Sequence, residues 1–180
     1  MEGTYFDYIM HKIEQDNPMH AKKLKNSLAV FDENYRADFE IFFKKYEGMI
    51  AANGLAFDYA IESYLRFCSD MVFEQIAFIR TGKYSNTSFD EVNEKVYANP
   101  EVMEYHMHGL LVSQFLWAHH YNIFLFFKHN LERFAGTAKQ VLEIGGGHGL
   151  YTNEILQQLR KTTITNIFLN MLMTHFYLHL

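Results

Sequence analysis

Apolar residues recur at helical spacing through the first 135 residues of the chain. Pro18 interrupts the pattern early, because the residue before a proline is pushed away from the α region. Asn53 and Gly54 form a typical helix end, since glycine accepts the left-handed conformation found there. The spacing therefore predicts one helix before Pro18 and helical structure from there to Asn53.

The clearest predicted helix spans residues 56–80, and Thr81 and Gly82 end it. Its apolar positions cover more than one narrow stripe, which is typical of a helix buried on two sides. These positions are Tyr59, Ile61, Tyr64, Leu65, Met71, Phe73, Ile76 and Phe78.

The next helices are predicted from their start signals. Ser88 and Glu91 have the spacing of a capping box, in which each side chain bonds the other residue's backbone amide. Asn99 is suited to cap a helix that starts at Pro100. That helical stretch continues to about residue 135, and we expect a bend near Gly109. Five or six helices are predicted before the first strong strand.

A strand, a tight loop and a helix follow in residues 140–160. The apolar run 141–144 leads into a glycine-rich loop, and residues 150–160 have helical spacing. Residues 162–169 are rich in β-branched side chains and are predicted as a second strand. The predicted fold is thus a mostly α helical domain, residues 1–135, followed at 136–180 by the β-α-β start of a parallel sheet.

The glycine loop is the strongest chemical signal in the chain. Glycine suits a tight turn that a ligand approaches closely, and the helix N-terminus beyond it favours an anionic group. A dinucleotide-binding loop reads G-x-G-x-x-G, whereas Gly145, Gly147 and Gly149 give G-x-G-x-G here. Leu150 stands where the third glycine would fall, so the spacing argues against NAD.

Residues 141–149, Val-Leu-Glu-Ile-Gly-Gly-Gly-His-Gly, resemble the first motif of class I S-adenosylmethionine-dependent methyltransferases. In that family the loop passes under the methionine and ribose portion of the cofactor, and an acidic residue precedes the first glycine by two positions. Glu143 occupies that position. The resemblance implies a Rossmann-like domain that binds S-adenosylmethionine and transfers its methyl group, with a small-molecule acceptor. The implied cofactor-binding residues are Glu143, Gly145, Gly146, Gly147, His148 and Gly149.

The chain departs from this family at two points. The acidic residue that holds the ribose at the end of the second strand is expected between Asn166 and Asn170, and that segment contains no carboxylate. An asparagine accepts hydrogen bonds but carries no charge. The chain also ends before the later strands of such a domain. These points lead to the expectation of a truncated methyltransferase with weak or no activity. The alternative is a helical interaction or dimerisation protein with a vestigial glycine loop.

Composition narrows the expected partners and location. Aromatic residues make up 17% of the 180 residues, enough to build a substantial core. A net charge of −5 gives no reason to expect nucleic-acid binding, and the single cysteine fits a reducing compartment. No secretory signal or membrane span is predicted, so the expected location is the cytoplasm. The N-terminal helices are similar in placement to the dimerisation regions of small-molecule O-methyltransferases, which implies a homodimer through them.

Other candidate sites have simpler interpretations. The ten histidines do not predict a metal site, since His106 and His108, and His119 and His120, diverge on a helix. His175 and His179, four residues apart, could both reach one ion, but no glutamate follows His175 as in the H-E-x-x-H motif. Cys68 lies among apolar residues and is expected to be a small buried thiol. Four further aromatic residues could line a substrate pocket or belong to the core. They are Tyr84, Tyr97, Tyr105 and Trp117. Four acidic residues at helical spacing could form paired carboxylates or a solvated helix edge. They are Asp58, Glu62, Asp70 and Glu74.

Overall fold

A computed structural model describes residues 3–135, 137–138, 140–159 and 166–170, with only the backbone at 135, 159 and 166–170. The described chain is mostly helical, which confirms the coarse prediction. A π-helical turn, Asn93–Tyr97, follows the fifth helix. The helices are α1 (Tyr5–Asp16), α2 (Pro18–Leu28), α3 (Glu33–Ala52), α4 (Phe57–Thr81), α5 (Phe89–Val92), α6 (Pro100–Leu116), α7 (Ala118–Ala135) and α8 (Leu150–Leu159), and the strands are β1 (Gln140–Ile144) and β2 (Asn166–Asn170).

Side-chain caps start several of these helices. The Asn99 side chain accepts from the amide of Val102, and Pro100 is the first residue of α6, as predicted. The Ser88 hydroxyl accepts from the amide of Glu91, which is the first half of the predicted capping box. In the second half the Glu91 carboxylate reaches back as predicted: it accepts from the amide of Thr87 over 2.8 Å, and the amide of Ser88 also contributes to the lowered pKa of Glu91.

The long helical stretch after Pro100 breaks at Trp117 and not near Gly109, so the predicted bend was misplaced. Trp117 has φ −106° and ψ 118°, an extended conformation that separates α6 from α7. Gly109 instead lies at a close contact between α6 and α4. A Cβ at Gly109 would lie 2.5 Å from Cβ of Phe67 and 2.8 Å from the carbonyl oxygen of Ser63. Gly109 therefore allows α4 and α6 to pack closely and does not bend α6.

Aromatic rings from α3, α6 and α7 fill the centre of the helical core. Phe42 and Phe115 stack with their centroids 4.3 Å apart. The hydroxyl of Tyr35, itself buried, donates to the backbone oxygen of Phe115 over 2.6 Å. Tyr121 donates to the Asp38 carboxylate at the edge of the same cluster. The high aromatic content thus forms one continuous core in which the hydroxyls of Tyr35 and Tyr121 have acceptors.

Helix α4 is buried along its first half only, so the prediction that it is buried on two sides does not hold for its second half. Ala60, Ile61, Tyr64 and Phe67 belong to the buried first half. Beyond residue 70 the large apolar side chains are exposed, and only Ala77 is partly covered. Sequence periodicity is the same in both halves, so it cannot distinguish a covered turn from an uncovered one.

The last described elements are β1, α8 and β2. Strand β1 pairs with β2 in parallel, in a register that places Gln140 beside Asn166 and Ile144 beside Asn170. Residues 162–165 of the predicted second strand lie outside the described residues. Helix α8 packs on α7, and Leu150 at its start joins the helical core. The loop between β1 and α8 is therefore attached to the helical region.

Candidate functional site

Three alternate glycines shape the loop between β1 and α8. Gly145, Gly147 and Gly149 have φ of 73°, 53° and 80°, a region that other residues rarely adopt. Among the described residues, no atom lies within 4 Å of a Cβ added at Gly145 or Gly149. Backbone conformation therefore requires glycine at these positions, and the described residues leave space for a ligand beside Gly145 and Gly149.

The carboxylate of Glu143 lies across this loop. It accepts a hydrogen bond of 2.6 Å from the hydroxyl of Thr152 in the first turn of α8. A Cβ at Gly146 would lie 3.3 Å from that hydroxyl oxygen and 3.5 Å from the Glu143 carboxyl carbon. The pair thus ties the end of β1 to the start of α8, and Gly146 leaves room for it.

His148 is buried beneath the loop and forms no part of its exposed surface. Its Nδ1 accepts from the backbone amide of Leu150 over 3.2 Å, so one free amide at the N-terminus of α8 is already satisfied. Burial, with a smaller contribution from the nearby His120, lowers the pKa of His148 to about 4. A neutral imidazole that accepts at Nδ1 carries its proton on Nε2. The structure therefore supports a loop-shaping role for His148.

Side chains from α6 and α7 form the back of the site. The Tyr151 hydroxyl donates to Oε1 of Gln114 over 3.0 Å, and its ring packs edge-on against Phe127. His120 Nδ1 lies 2.9 Å from the hydroxyl of Ser113. Sequence reasoning missed these residues, because Gln114 and Tyr151 are 37 positions apart and no motif connects them. Thr152 was also missed.

The end of β2 lies at the same edge as the glycine loop. In a parallel pair both strands end on the same side, and the register aligns Asn170 with Ile144, the residue before Gly145. The ribose-binding carboxylate is expected at the end of the second strand, and the residue at that position is Asn170. The loop fits the family pattern, and the end of β2 departs from it.

The other candidate residues divide between different places: Asp70, Glu74, Tyr84 and Tyr105 border one open cleft of about 670 Å³, and Asp58 lies elsewhere on α4. Asp58 binds Lys12 and Tyr8 of α1, whereas Asp70 accepts from Tyr105 of α6, so these carboxylates face different partners. No group of three or more His, Cys, Asp or Glu side chains suited to a metal ion occurs among the described residues. The pair His175 and His179 lies outside them.

A separate cleft, of about 570 Å³, lies between α2, α4 and Trp117, away from the glycine loop. At its edge the hydroxyl of Tyr64 accepts from Nε1 of Trp117 and lies 2.8 Å from Nε2 of His20. Cys68 borders the same cleft, and burial raises the pKa of its thiol to about 11. The cysteine is therefore a neutral thiol at pH 7 and not an activated nucleophile.

Comparison with protein-family models, with curated proteins and with solved structures gives no match to this chain. In the described part of the chain, no helix combines the length and apolar character needed to cross a membrane.

Proposed function

We propose that this chain carries the glycine-loop portion of an S-adenosylmethionine site and is related to class I methyltransferases that act on small molecules. The observation that carries the proposal is the loop itself. Three positive-φ glycines separate β1 from α8, and the acidic residue of the motif, Glu143, lies across them. This arrangement holds the carboxylate beside an exposed stretch of backbone.

Each residue of the site has a distinct contribution. Gly145 and Gly149 expose backbone that would lie against the methionine and ribose portion of the cofactor, which supplies a methyl group on a sulfonium when bound. Thr152 keeps Glu143 in place, and His148 keeps the start of α8 in place through the Leu150 amide. Side chains fixed in this way bind with little loss of conformational entropy.

The proposal favours S-adenosylmethionine over a dinucleotide because of Leu150. A third Rossmann glycine at this point would let the helix and strand pack closely. Leu150 is instead 3% exposed and packs into the helical core. We expect weak binding and weak or no methyl transfer, because Asn170 replaces a charged acceptor. The loss of one charge-assisted hydrogen bond weakens binding by roughly 10- to 100-fold.

Isothermal titration with S-adenosylmethionine tests the proposal, with two glycine variants as a matched pair. Gly145→Val places a branched side chain on the open face of the loop at φ 73°. Gly82→Val introduces the same strain at φ 67°, at the end of α4, where an added Cβ also meets no atom within 4 Å. We expect the unmodified chain and Gly82→Val to bind at roughly 100 μM or weaker, and Gly145→Val not to bind.

Four outcomes would contradict parts of this proposal. No binding by the unmodified chain would refute a cofactor site, and equal binding by Gly145→Val would place the ligand elsewhere. Binding of NAD as strong as that of S-adenosylmethionine would refute the argument from Leu150. Micromolar binding would support the site but refute the weakening assigned to the asparagine.

A second candidate function is supported by a different observation. The apolar side chains on the second half of α4 are exposed, which is typical of a helical protein that binds a partner through this surface. This function does not require the glycine loop to bind any ligand.

A further inference from the structure

The open cleft of about 670 Å³ lies between α4, the loop before α5, the π-helical turn and the start of α6. We name it the α4–α6 cleft. Most of the side chains that border it are apolar or aromatic, and a few are charged. Sites that hold small molecules have this composition and volumes of about 300 to 1,000 Å³. Its charged and exposed aromatic borders include Asp70, Glu74, Phe78, Tyr84 and Lys95.

Two carboxylates and an aromatic ring follow one another along the face of α4 that borders the cleft. Asp70, Glu74 and Phe78 are four residues apart in turn, a spacing that makes neighbouring side chains adjacent on a helix. The buried Tyr105 of α6 donates its hydroxyl to Oδ2 of Asp70 over 2.7 Å, which holds this carboxylate on a mostly apolar wall. Glu74 is exposed and forms no ion pair among the described residues. A carboxylate accepts several hydrogen bonds, so both groups can receive a ligand.

The border of the cleft has a net negative charge. Asp70 and Glu74 contribute two carboxylates, and Lys95 contributes one ammonium group. Burial lowers the pKa of His106, so this imidazole is neutral at pH 7. Arg66 also acts on Asp70 but does not border the cleft. One further positive charge from a ligand would therefore balance the charges at the border.

Aromatic rings next to these carboxylates favour an organic cation. Phe78 stacks on Tyr84 with their centroids 4.7 Å apart, and the two side chains are 40% and 69% exposed. Phe78 lies one turn of α4 from Glu74, so a ligand that binds Glu74 can also contact these rings. The face of an aromatic ring attracts a cation, and protein sites for ammonium ligands use this attraction.

We propose that the α4–α6 cleft binds a small organic ammonium ion that carries an aromatic or other apolar group. The ammonium group binds Asp70 and Glu74, and the apolar group packs against Phe78 and Tyr84. No residue of the glycine loop borders this cleft, so the inference goes beyond the proposed function and is independent of the cofactor. It also combines two candidates from the sequence, the aromatic pocket and the paired carboxylates, in one place.

Titration of the full chain with three probes tests the requirement for positive charge. Phenethylammonium, phenethyl alcohol and hydrocinnamate share a phenyl group on a short alkyl chain, and their polar ends are positive, neutral and negative at pH 7. We expect phenethylammonium to bind with a Kd of about 0.1 to 1 mM, the alcohol to bind at least about 10-fold more weakly, and hydrocinnamate not to bind. Ligand-observed NMR measures affinities in this range. No binding of phenethylammonium at about 10 mM, or equal binding of the alcohol, would overturn the proposal.

Two matched pairs of variants test where phenethylammonium binds. Glu74→Gln removes a carboxylate from the cleft, whereas Glu62→Gln removes an exposed carboxylate from the part of α4 outside it. We expect Glu74→Gln to weaken binding at least about 10-fold and Glu62→Gln to leave it unchanged. Tyr84→Leu keeps an apolar side chain but removes the aromatic face, and should weaken binding about 3-fold. Its control is Tyr97→Leu, since Tyr97 is 48% exposed and does not border the cleft.

Equal effects within either pair would overturn the assignment of the ligand to this cleft. Both glutamates are exposed, so neither substitution removes a contact of the core. None of these titrations contains S-adenosylmethionine, so failure here leaves the cofactor proposal unaffected.

Discussion

Replacing Gly109 by alanine tests how closely α4 and α6 pack. The added methyl carbon would lie 2.5 Å from Phe67 Cβ, 3.1 Å from Phe67 Cγ and 2.8 Å from the carbonyl oxygen of Ser63. Carbon atoms in contact normally lie about 3.5 to 4.0 Å apart. Neither Phe67 Cβ nor the Ser63 carbonyl can rotate away, so the two helices would have to separate by about 1 Å.

The expected change in stability has two parts of opposite sign. Overpacking of this kind costs about 3 kcal/mol, the upper end of the usual range, because backbone is involved. Replacement of a helical glycine by alanine stabilises the helix by about 1 kcal/mol. We therefore expect Gly109→Ala to lower the free energy of unfolding by about 2 kcal/mol, and the melting temperature by about 4 to 8 °C.

Gly48→Ala is the matched control, because Gly48 is also within a helix and an added Cβ there meets no atom within 4 Å. It should raise the free energy of unfolding by about 0.5 to 1 kcal/mol. Urea unfolding followed by circular dichroism measures both variants. Fluorescence of the single tryptophan gives a second probe, since Trp117 stacks on Phe67 at 5.7 Å. Equal stabilisation of the two variants would refute the close packing at Gly109.

Two further predictions concern buried polar groups. Burial lowers the pKa of His148 and of His108 to about 4, so the stability they confer is complete above pH 6.5 and is lost as pH falls towards 4. Between pH 7 and 4 the free energy of unfolding should fall by up to about 1.4 kcal/mol per pH unit for each histidine. His148→Asn should reduce that slope, and an unchanged slope would contradict the burial of His148. Tyr35→Phe removes the donor to the Phe115 carbonyl and should cost about 1 to 2 kcal/mol in urea unfolding, whereas no loss would show that this hydrogen bond contributes nothing.

Local sequence signals located several elements well. Asn99 and Pro100 define the start of α6, because capping depends on residues within one turn of each other. Gly145, Gly147 and Gly149 of the loop have the positive φ that a tight glycine turn indicates. The asparagine at the end of β2 was also evident before the structure, because the departure from the family motif is a matter of residue type and position.

Contacts between distant segments decided the remaining features. The periodicity of α4 is the same before and after residue 70, and only the positions of the neighbouring helices make one half buried and the other exposed. Gly109 has the same helical context as Gly48, yet only Gly109 faces another helix at close range. His148 is buried because Leu150 and Tyr151 attach α8 to the helical core. Sequence alone determined the glycine loop as a chemical motif. Tertiary structure decided which of its groups are exposed, because burial depends on which faces pack together.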